Sequence, residues 1–352
     1  MHSFMPKRFL GRVLYNLGER IPSARPALCH WGLRTRMRWF EGCVPTAQSR
    51  RTGRELRLAS FSANYLSFEL FWRGLDYYEP LTAALAVALT KSTGLFIDAG
   101  ANIGFHSLML AAARPQLDIV AFEPHPKLQR LLEANIRANG FRHLTAEPLA
   151  LSDRDGVMPF YLNQSDMSAS LEQSFDSNHA GVVCVPVTGL DTYLARRGGT
   201  PGRFLMKVDV EGHEPAFFAG AAETLRCCRP DIIAEAAVSY PPETIALLHR
   251  CGYQFHQITD EGLQSCPVPA AKVRGPLVFL NCLLTTRPAA ELAPLSAHLK
   301  ALGRSIDLDR TSKHADHRVM DRCRSAPAPV PAAHPAPSLA GLPGRWPDPQ
   351  TR

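Results

Sequence analysis

The sequence predicts a doubly wound α/β fold whose sheet is mostly parallel, with an antiparallel pair at one edge. Three observations predict it. Between residues 68 and 286, short apolar runs alternate with stretches of helical periodicity, the pattern of parallel strands joined by crossover helices. A glycine-containing turn, DAGANIG (98–104), joins the first strand to its helix. The last two apolar runs, YQFHQI and PLVFLNCLL, have no helix between them, which makes them antiparallel neighbours.

Each element follows from local pattern. LFID (95–98) reads as a strand and FHSLMLAAA (105–113) as the helix after the glycine turn. DIVAFE (118–123) is the second strand. In PKLQRLLEANIRANG, Leu128, Leu131, Leu132 and Ile136 recur at helical spacing, with Gly140 as the C-terminal cap. LTAEPLAL (144–151) reads as a single third strand. One more short strand, a polar stretch (163–181) and VVCVPV come next. FLMKVDV (204–210) is the fourth core strand, EPAFFAGAAETLR one helix with Pro215 in its first turn, and PDIIAEA (230–236) a strand. YPPETIALLHRCG supplies a last crossover helix before the closing strands.

Outside this domain the composition changes. Residues 1–67 form a basic arm: its first 57 residues hold twelve Lys and Arg against three Glu, a charge of +9, so the rest of the chain sums to −2 of the formal +7. Such arms meet nucleic acid or anionic lipid in some proteins, but this one carries no recognised nucleic-acid-binding motif, which argues against nucleic acid. Phe9, Leu10, Val13, Leu14 and Leu17 share a helical face opposite Lys7, Arg8 and Arg12. That face fits a helix packed on the domain, a weak membrane-surface contact or a targeting segment. Residues 287–310 read as a peripheral segment. The Pro/Ala-rich stretch 311–352 reads as disordered. No apolar run reaches the roughly 18 residues of a membrane span. The nine cysteines show no C-x-x-C spacing and are odd in number, which points to no metal site and to a reducing, cytoplasmic setting.

The glycine turn carries the first chemical signal. Asp98, Gly100, Asn102 and Gly104 lie at the carboxyl end of a strand, where open α/β sheets bind ligands. The spacing G-x-x-x-G differs from the dinucleotide pattern, and an acid before the first glycine repels a pyrophosphate but suits a ligand with an ammonium. Glu123 ends the next strand, nineteen residues past Gly104, where an acid holds ribose hydroxyls. Together these residues fit an adenosine-bearing cofactor without phosphates, S-adenosylmethionine. A second signal is KVDVEGHE (207–214), which crowds Asp209, Glu211, His213 and Glu214 after an apolar run. Glu214 sits where a carboxylate caps the next helix. Asp209, Glu211 and His213 face the same crevice and are the candidates for helping an acceptor hydroxyl lose its proton.

The chain resembles the FkbM family of S-adenosylmethionine-dependent methyltransferases. The resemblance rests on FIDAGANIGFHSLMLA (96–111), FEPHPKLQRLLEANIRANG (122–140), ALSDRDGVMPFY (150–161), SASL (168–171), VTGLDTYL (187–194), MKVDVEGHEPAFFAGA (206–221) and PDIIAE (230–235). It covers about residues 70–286 and implies the seven-stranded class I methyltransferase sheet. It also implies O-methylation of a hydroxyl on a saccharide or secondary metabolite, so the expected partner is a small-molecule or glycan acceptor. By the same resemblance Asp98, Gly100, Asn102, Gly104 and Glu123 fall on cofactor-binding positions, with Ser152 and Asp153 where adenine is approached. A nicotinamide-dependent oxidoreductase shares the sheet and the acid after the second strand, but lacks support in the glycine spacing. A non-catalytic module retaining the fold is the third reading. The polar stretch 163–180 fits either a lid for a polyol-like acceptor or a solvated loop.

Overall fold

A computed structural model describes residues 78–163, 169–175, 179–199, 202–235, 240–267 and 281–310, together with 44–45, 56–58, 66–67 and 70. The expectations for the basic arm's helical face and for the tail 311–352 lie outside the described residues. The chain divides into a unit Met1–Ser305 and a second, Ile306–Arg352. The sheet and the site belong to the first.

The order of elements is β1 (Val44–Pro45), β2 (Arg57–Leu58), α1 (Pro80–Leu89), β3 (Leu95–Ala99), α2 (Phe105–Ala113), β4 (Asp118–Phe122), α3 (Pro126–Asn139) and β5 (Leu144–Glu147). Then come β6 (Ala150–Ser152), β7 (Gly156–Asn163), β8 (His179–Gly189), α4 (Leu190–Arg196), β9 (Leu205–Val208), α5 (Glu214–Ala219), α6 (Ala222–Cys227) and β10 (Asp231–Glu235). The domain closes with α7 (Pro242–Arg250), β11 (Gln254–Thr259), β12 (Gly262–Cys266), β13 (Asn281–Thr285) and α8 (Ala289–Arg310).

The main sheet runs β12-β11-β13-β10-β9-β3-β4-β5. β3, β4, β5, β9 and β10 are parallel, and β13 is antiparallel to both β10 and β11. The expected antiparallel partners therefore exist, but β13 inserts inboard of β11, and β12, which the sequence pattern did not reveal, forms the edge by a tight hairpin to β11. Side chains alternate across the sheet. Leu95, Ile97, Met206, Val208, Ile232 and Ala234 pack with Leu190, Phe217, Phe218 and Leu248 of α4, α5 and α7. Phe96, Leu205, Ile233 and Leu283 point the other way, onto α1, α2, α3 and α8. Asp98, Lys207, Asp209 and Glu235 share that second parity, so the period of two delivers four charged residues to one face at the strands' carboxyl ends.

Two boundaries differ from the sequence reading. The expected strand 144–151 is two strands in two sheets: Pro148, which has no amide to give a ladder, ends β5, and β6 joins β8 and β7 in a separate three-stranded sheet. The expected helix 214–226 breaks into α5 and α6 at Gly220. A Cβ at Gly220 would stand 1.9 Å from the Ser152 carbonyl oxygen, so the backbones touch there. The fresh helix end is capped by Asp191, whose carboxylate accepts from Glu223 N and Thr224 N, both at 2.8 Å. Asp191 belongs to α4, a helix the sequence reading passed over. In the small sheet Phe160, Leu171, Val185 and Val187 make a satellite core, and the β7–β8 connection carries the polar stretch, of which 169–175 is described.

Candidate active site

Two turns meet at the carboxyl ends of β3 and β9. Gly100 has φ +81, and a Cβ there would lie 1.8 Å from the Asp209 carbonyl oxygen. Only glycine lets the turns touch, and Asp209 N donates to Ala99 O at 3.0 Å across the junction. Asn102 also takes the left-handed conformation, with φ 54. This turns its amide onto Glu123, where Asn102 N reaches Oε2 at 2.7 Å. Gly104 caps α2 with φ +88 and lies against Leu132.

Glu123 is thus built into the glycine turn. His125 N donates to its other oxygen at 2.8 Å. Burial lifts its carboxyl to about 7 despite those two amides. Each oxygen keeps a lone pair beyond the amide it accepts. Asp98 is sealed beneath the turn and takes the Ser107 hydroxyl at 2.6 Å. Burial raises its pKa, with His106 and Lys207 pulling the other way. It shapes the turn from inside.

The stretch after β9 divides in two. Lys207, only 4% exposed, places Nζ 2.5 Å from Asp209 Oδ2. Burial alone would raise Asp209, but the Lys207 ammonium and a hydrogen bond from Glu235 outweigh it and hold Asp209 ionised. Glu235, at the end of the neighbouring strand β10, is pushed the other way by burial and by Asp209 and keeps its proton. A carboxylate as well stabilised as Asp209 accepts hydrogen bonds readily but is a weak base. Glu211, at φ 54, brings its carboxylate into the same group, and one oxygen from each of Asp209, Glu211 and Glu235 lies within 4.8 Å of the others. Those three could hold a cation. Around Lys207 lie Glu79, Tyr78 and Asp98. Glu79 in turn meets His106 Nε2 and Asn281 Nδ2, each at 3.1 Å.

His213 belongs to another network. Its Nε2 lies 2.9 Å from Ser152 Oγ and its Nδ1 2.6 Å from Glu172 Oε1. Both ring nitrogens are therefore engaged by Ser152 and Glu172, and the structure does not bring His213 together with Asp209 and Glu211. The polar segment 169–175 is stapled onto the turn at three points: Glu172 to His213, Ser170 Oγ to Glu211 O at 2.6 Å, and the Phe175 ring over Gly212. Ser152 is fully buried, and Asp153 beside it pairs with Arg154 at the surface. Glu214 tucks back under the turn: its Oε1 accepts from Val210 N and Gly212 N at 3.3 and 3.4 Å, and burial raises its pKa to about 7.

Sequence reasoning missed Lys207, Glu235, Glu79, His106 and Glu172. Two left a signal: Lys207 is a charge inside an apolar strand run, and Glu235 is an acid ending a strand, the feature that singled out Glu123.

Sheet order, glycine turn and strand-end acids define an open α/β domain, a class that binds ligands at the carboxyl edge of its parallel strands. Residues 98–255 match the methyltransferase FkbM domain. The chain is similar to methyltransferase sdnD of Sordaria araneosa, with 32% identity over 36% of this chain and 47% of that protein. It is similar as well to methyltransferase 1 of Beauveria bassiana, with 29% identity over 36% of this chain and 58% of that protein. The chain thus spans about half the length of these curated relatives. Among solved structures, TYW2 of M. jannaschii in complex with AdoMet shows 14% identity over 70% of this chain and 86% of that one, at a TM-score of 0.36. No described helix is long and apolar enough to cross a membrane.

Proposed function

We propose that the protein is an S-adenosylmethionine-dependent methyltransferase that methylates a hydroxyl oxygen of a saccharide or secondary metabolite. The observation that carries this reading is Glu123 held against the Asn102 amide in the glycine turn, with lone pairs left for ligand hydroxyls. The residues fit the cofactor. Gly100 and Gly104 remove side chains where a ligand must approach backbone, and their G-x-x-x-G spacing is not that of a pyrophosphate cradle. Glu123 would bind the ribose hydroxyls, and Ser152 and Asp153 flank the adenine side. Bound there, the cofactor supplies an electrophilic methyl group.

The acceptor enters beside Asp209 and Glu211. Their carboxylates receive the hydrogen bond of its hydroxyl and orient the oxygen for in-line attack. Lys207 keeps Asp209 charged and fixed for that task, while the segment 169–175 braces the turn that carries both acids. Polar side chains in that segment favour a polyol-like acceptor over a flat aromatic one.

Thermal melts with S-adenosylhomocysteine, with NAD and without ligand test the cofactor, since a binder of the folded state raises the melting point by mass action. Stabilisation by S-adenosylhomocysteine alone is expected. Stabilisation by NAD in its place refutes the reading. Methyl transfer from radiolabelled cofactor into fractionated cell extract, followed by identification of the labelled atom, tests oxygen as the site.

A further inference from the structure

We propose that Glu79, with His106 and Asn281 beside it, binds the α-ammonium group of S-adenosylmethionine. The assignment rests on the methyltransferase reading and adds to it residues outside the strand ends that suggested the cofactor.

An ammonium calls for an acid, and the sequence pattern put Asp98 in that part. The structure withdraws it: Asp98 is 1% exposed beneath the glycine turn and takes the Ser107 hydroxyl. Glu79 is the acid left open. It precedes α1 in the left-handed conformation, at φ 40 and ψ 54, and Pro80 starts the helix directly after it. Its Oε2 meets His106 Nε2, from the first turn of α2, and Asn281 Nδ2, from the start of β13, each at 3.1 Å. Asn281 is the register partner of Glu235, so the three side chains gather at the carboxyl edge of the parallel strands, on the face that carries Lys207 and Asp209. In the sheet β13 and β4 lie on opposite sides of β3, and His106 follows Gly104 by two residues. The group therefore borders the glycine turn on the side away from Glu123, the residue assigned to the ribose.

Two features fit this group to a ligand rich in donors. Glu79 commits one oxygen to the protein. Among the described residues nothing hydrogen-bonds its Oε1, and 22% of the side chain stays exposed. Further in, His106 Nδ1 and Asn281 Oδ1 are buried without a partner among the described residues, and the His106 side chain is only 6% exposed. Buried polar atoms are ordinarily paired. With the imidazole proton on Nε2, where it meets the carboxylate, Nδ1 is an acceptor. All three open atoms then accept, and none donates. A hydroxyl has a single proton to give, whereas an ammonium has three and carries the charge a carboxylate attracts. Glu79 is ionised for that role: burial alone would raise its pKa, but the Lys207 ammonium and His106 outweigh burial and lower it. Lys207 itself gives its hydrogen bond to Asp209.

The experiment is calorimetric titration of the full-length protein with two probes, S-adenosylhomocysteine and its analogue with hydrogen in place of the α-amino group. The unaltered protein should bind S-adenosylhomocysteine at least about tenfold more tightly, the effect of a charge-assisted hydrogen bond. In Glu79→Gln the amide oxygen stays with His106 and Asn281, which both donate, so its NH₂ faces the ligand. That variant should bind S-adenosylhomocysteine at least about tenfold less tightly than the unaltered protein does, and the deaminated analogue with unchanged affinity. Asn281→Leu leaves Glu79 in place and should weaken S-adenosylhomocysteine several-fold, again sparing the analogue; it serves if Glu79→Gln does not fold. Equal affinity of the unaltered protein for both probes overturns the assignment, and that arm needs no variant. An equal loss for both probes in the variants also overturns it, because the group then only pins α1 to the sheet. Binding of neither probe up to millimolar concentration sinks the methyltransferase reading and the assignment with it, whereas the other adverse outcomes leave that reading intact.

Discussion

Glu123 links stability and pH to the cofactor binding proposed for it. Burial lifts its carboxyl from 4.5 to about 7, which is about 3 kcal/mol against the ionised form. The native state therefore binds this proton more tightly than the unfolded chain does. Its contribution is fully present below pH 4.5 and is lost as pH rises through 7. A ligand whose hydroxyls donate to the carboxylate favours the ionised form and draws that titration downward. Binding then expels a proton. Affinity for S-adenosylhomocysteine should rise from pH 5 to pH 7, by at most about tenfold per pH unit, and level off above. Glu123→Gln removes both the titration and the charge. Its amide nitrogen must also turn towards one of the two backbone donors, Asn102 N or His125 N. A charged hydrogen bond is worth about 1.5–3 kcal/mol, so affinity at pH 8 should fall about 10- to 100-fold. Calorimetric titration of both proteins at half-unit steps from pH 5 to 8 reads the two effects together. A flat profile in the unaltered protein, or the same slope in the glutamine variant, refutes the assignment of Glu123 to the ligand.

Other substitutions test the frame around the site. Gly100→Ala forces a Cβ onto the Asp209 carbonyl at φ +81 and should abolish ligand binding with a loss of several kcal/mol, whereas Gly140→Ala, with φ +67 and nothing within 4 Å, should cost only about 1 kcal/mol in denaturant unfolding. Lys207→Met leaves the partly exposed Asp209 carboxylate without its ammonium, a loss of about 2–3 kcal/mol. Adding Asp209→Asn should recover part of it, and strict additivity in that double-mutant cycle would show that the pair is not coupled. Arg287→Ala removes the main partner of the fully buried Asp231, which Thr285 and Arg203 retain in part. We expect a loss of about 2–3 kcal/mol, or roughly 5–10 °C in melting temperature, measurable by calorimetry with ligand affinity unchanged.

Much of this protein was written locally. Apolar runs of strand length, one amphipathic helix pattern with its Gly140 cap and a glycine turn after the first strand specify a doubly wound sheet without any long-range information. Periodicity and capping act within a few residues, so a reader of the chain can see them. The same holds for Glu123 and the Asp98–Gly104 turn, whose meaning depends on standing at a strand end. Long-range contacts decided the rest. Nothing near Gly220 in sequence says that the Ser152 carbonyl will press on it and split a helix, or that Asp191 will cap the new end. Pro148 hints at a break, but only pairing with β8 sends β6 to a second sheet. KVDVEGHE looks like one constellation when read along the chain. In three dimensions strand parity sends Asp209 to Lys207 and Glu235, while the Gly212 turn sends His213 to Ser152 and Glu172. A side chain's partners, and with them its charge state, come largely from strands and turns that are neighbours in space and distant in sequence. The sequence alone therefore specified the strands, the glycine turn and some of the acids that stand at the strand ends. Tertiary packing decided which groups share a proton, which are locked into the scaffold, and which stay partly exposed at the strand ends.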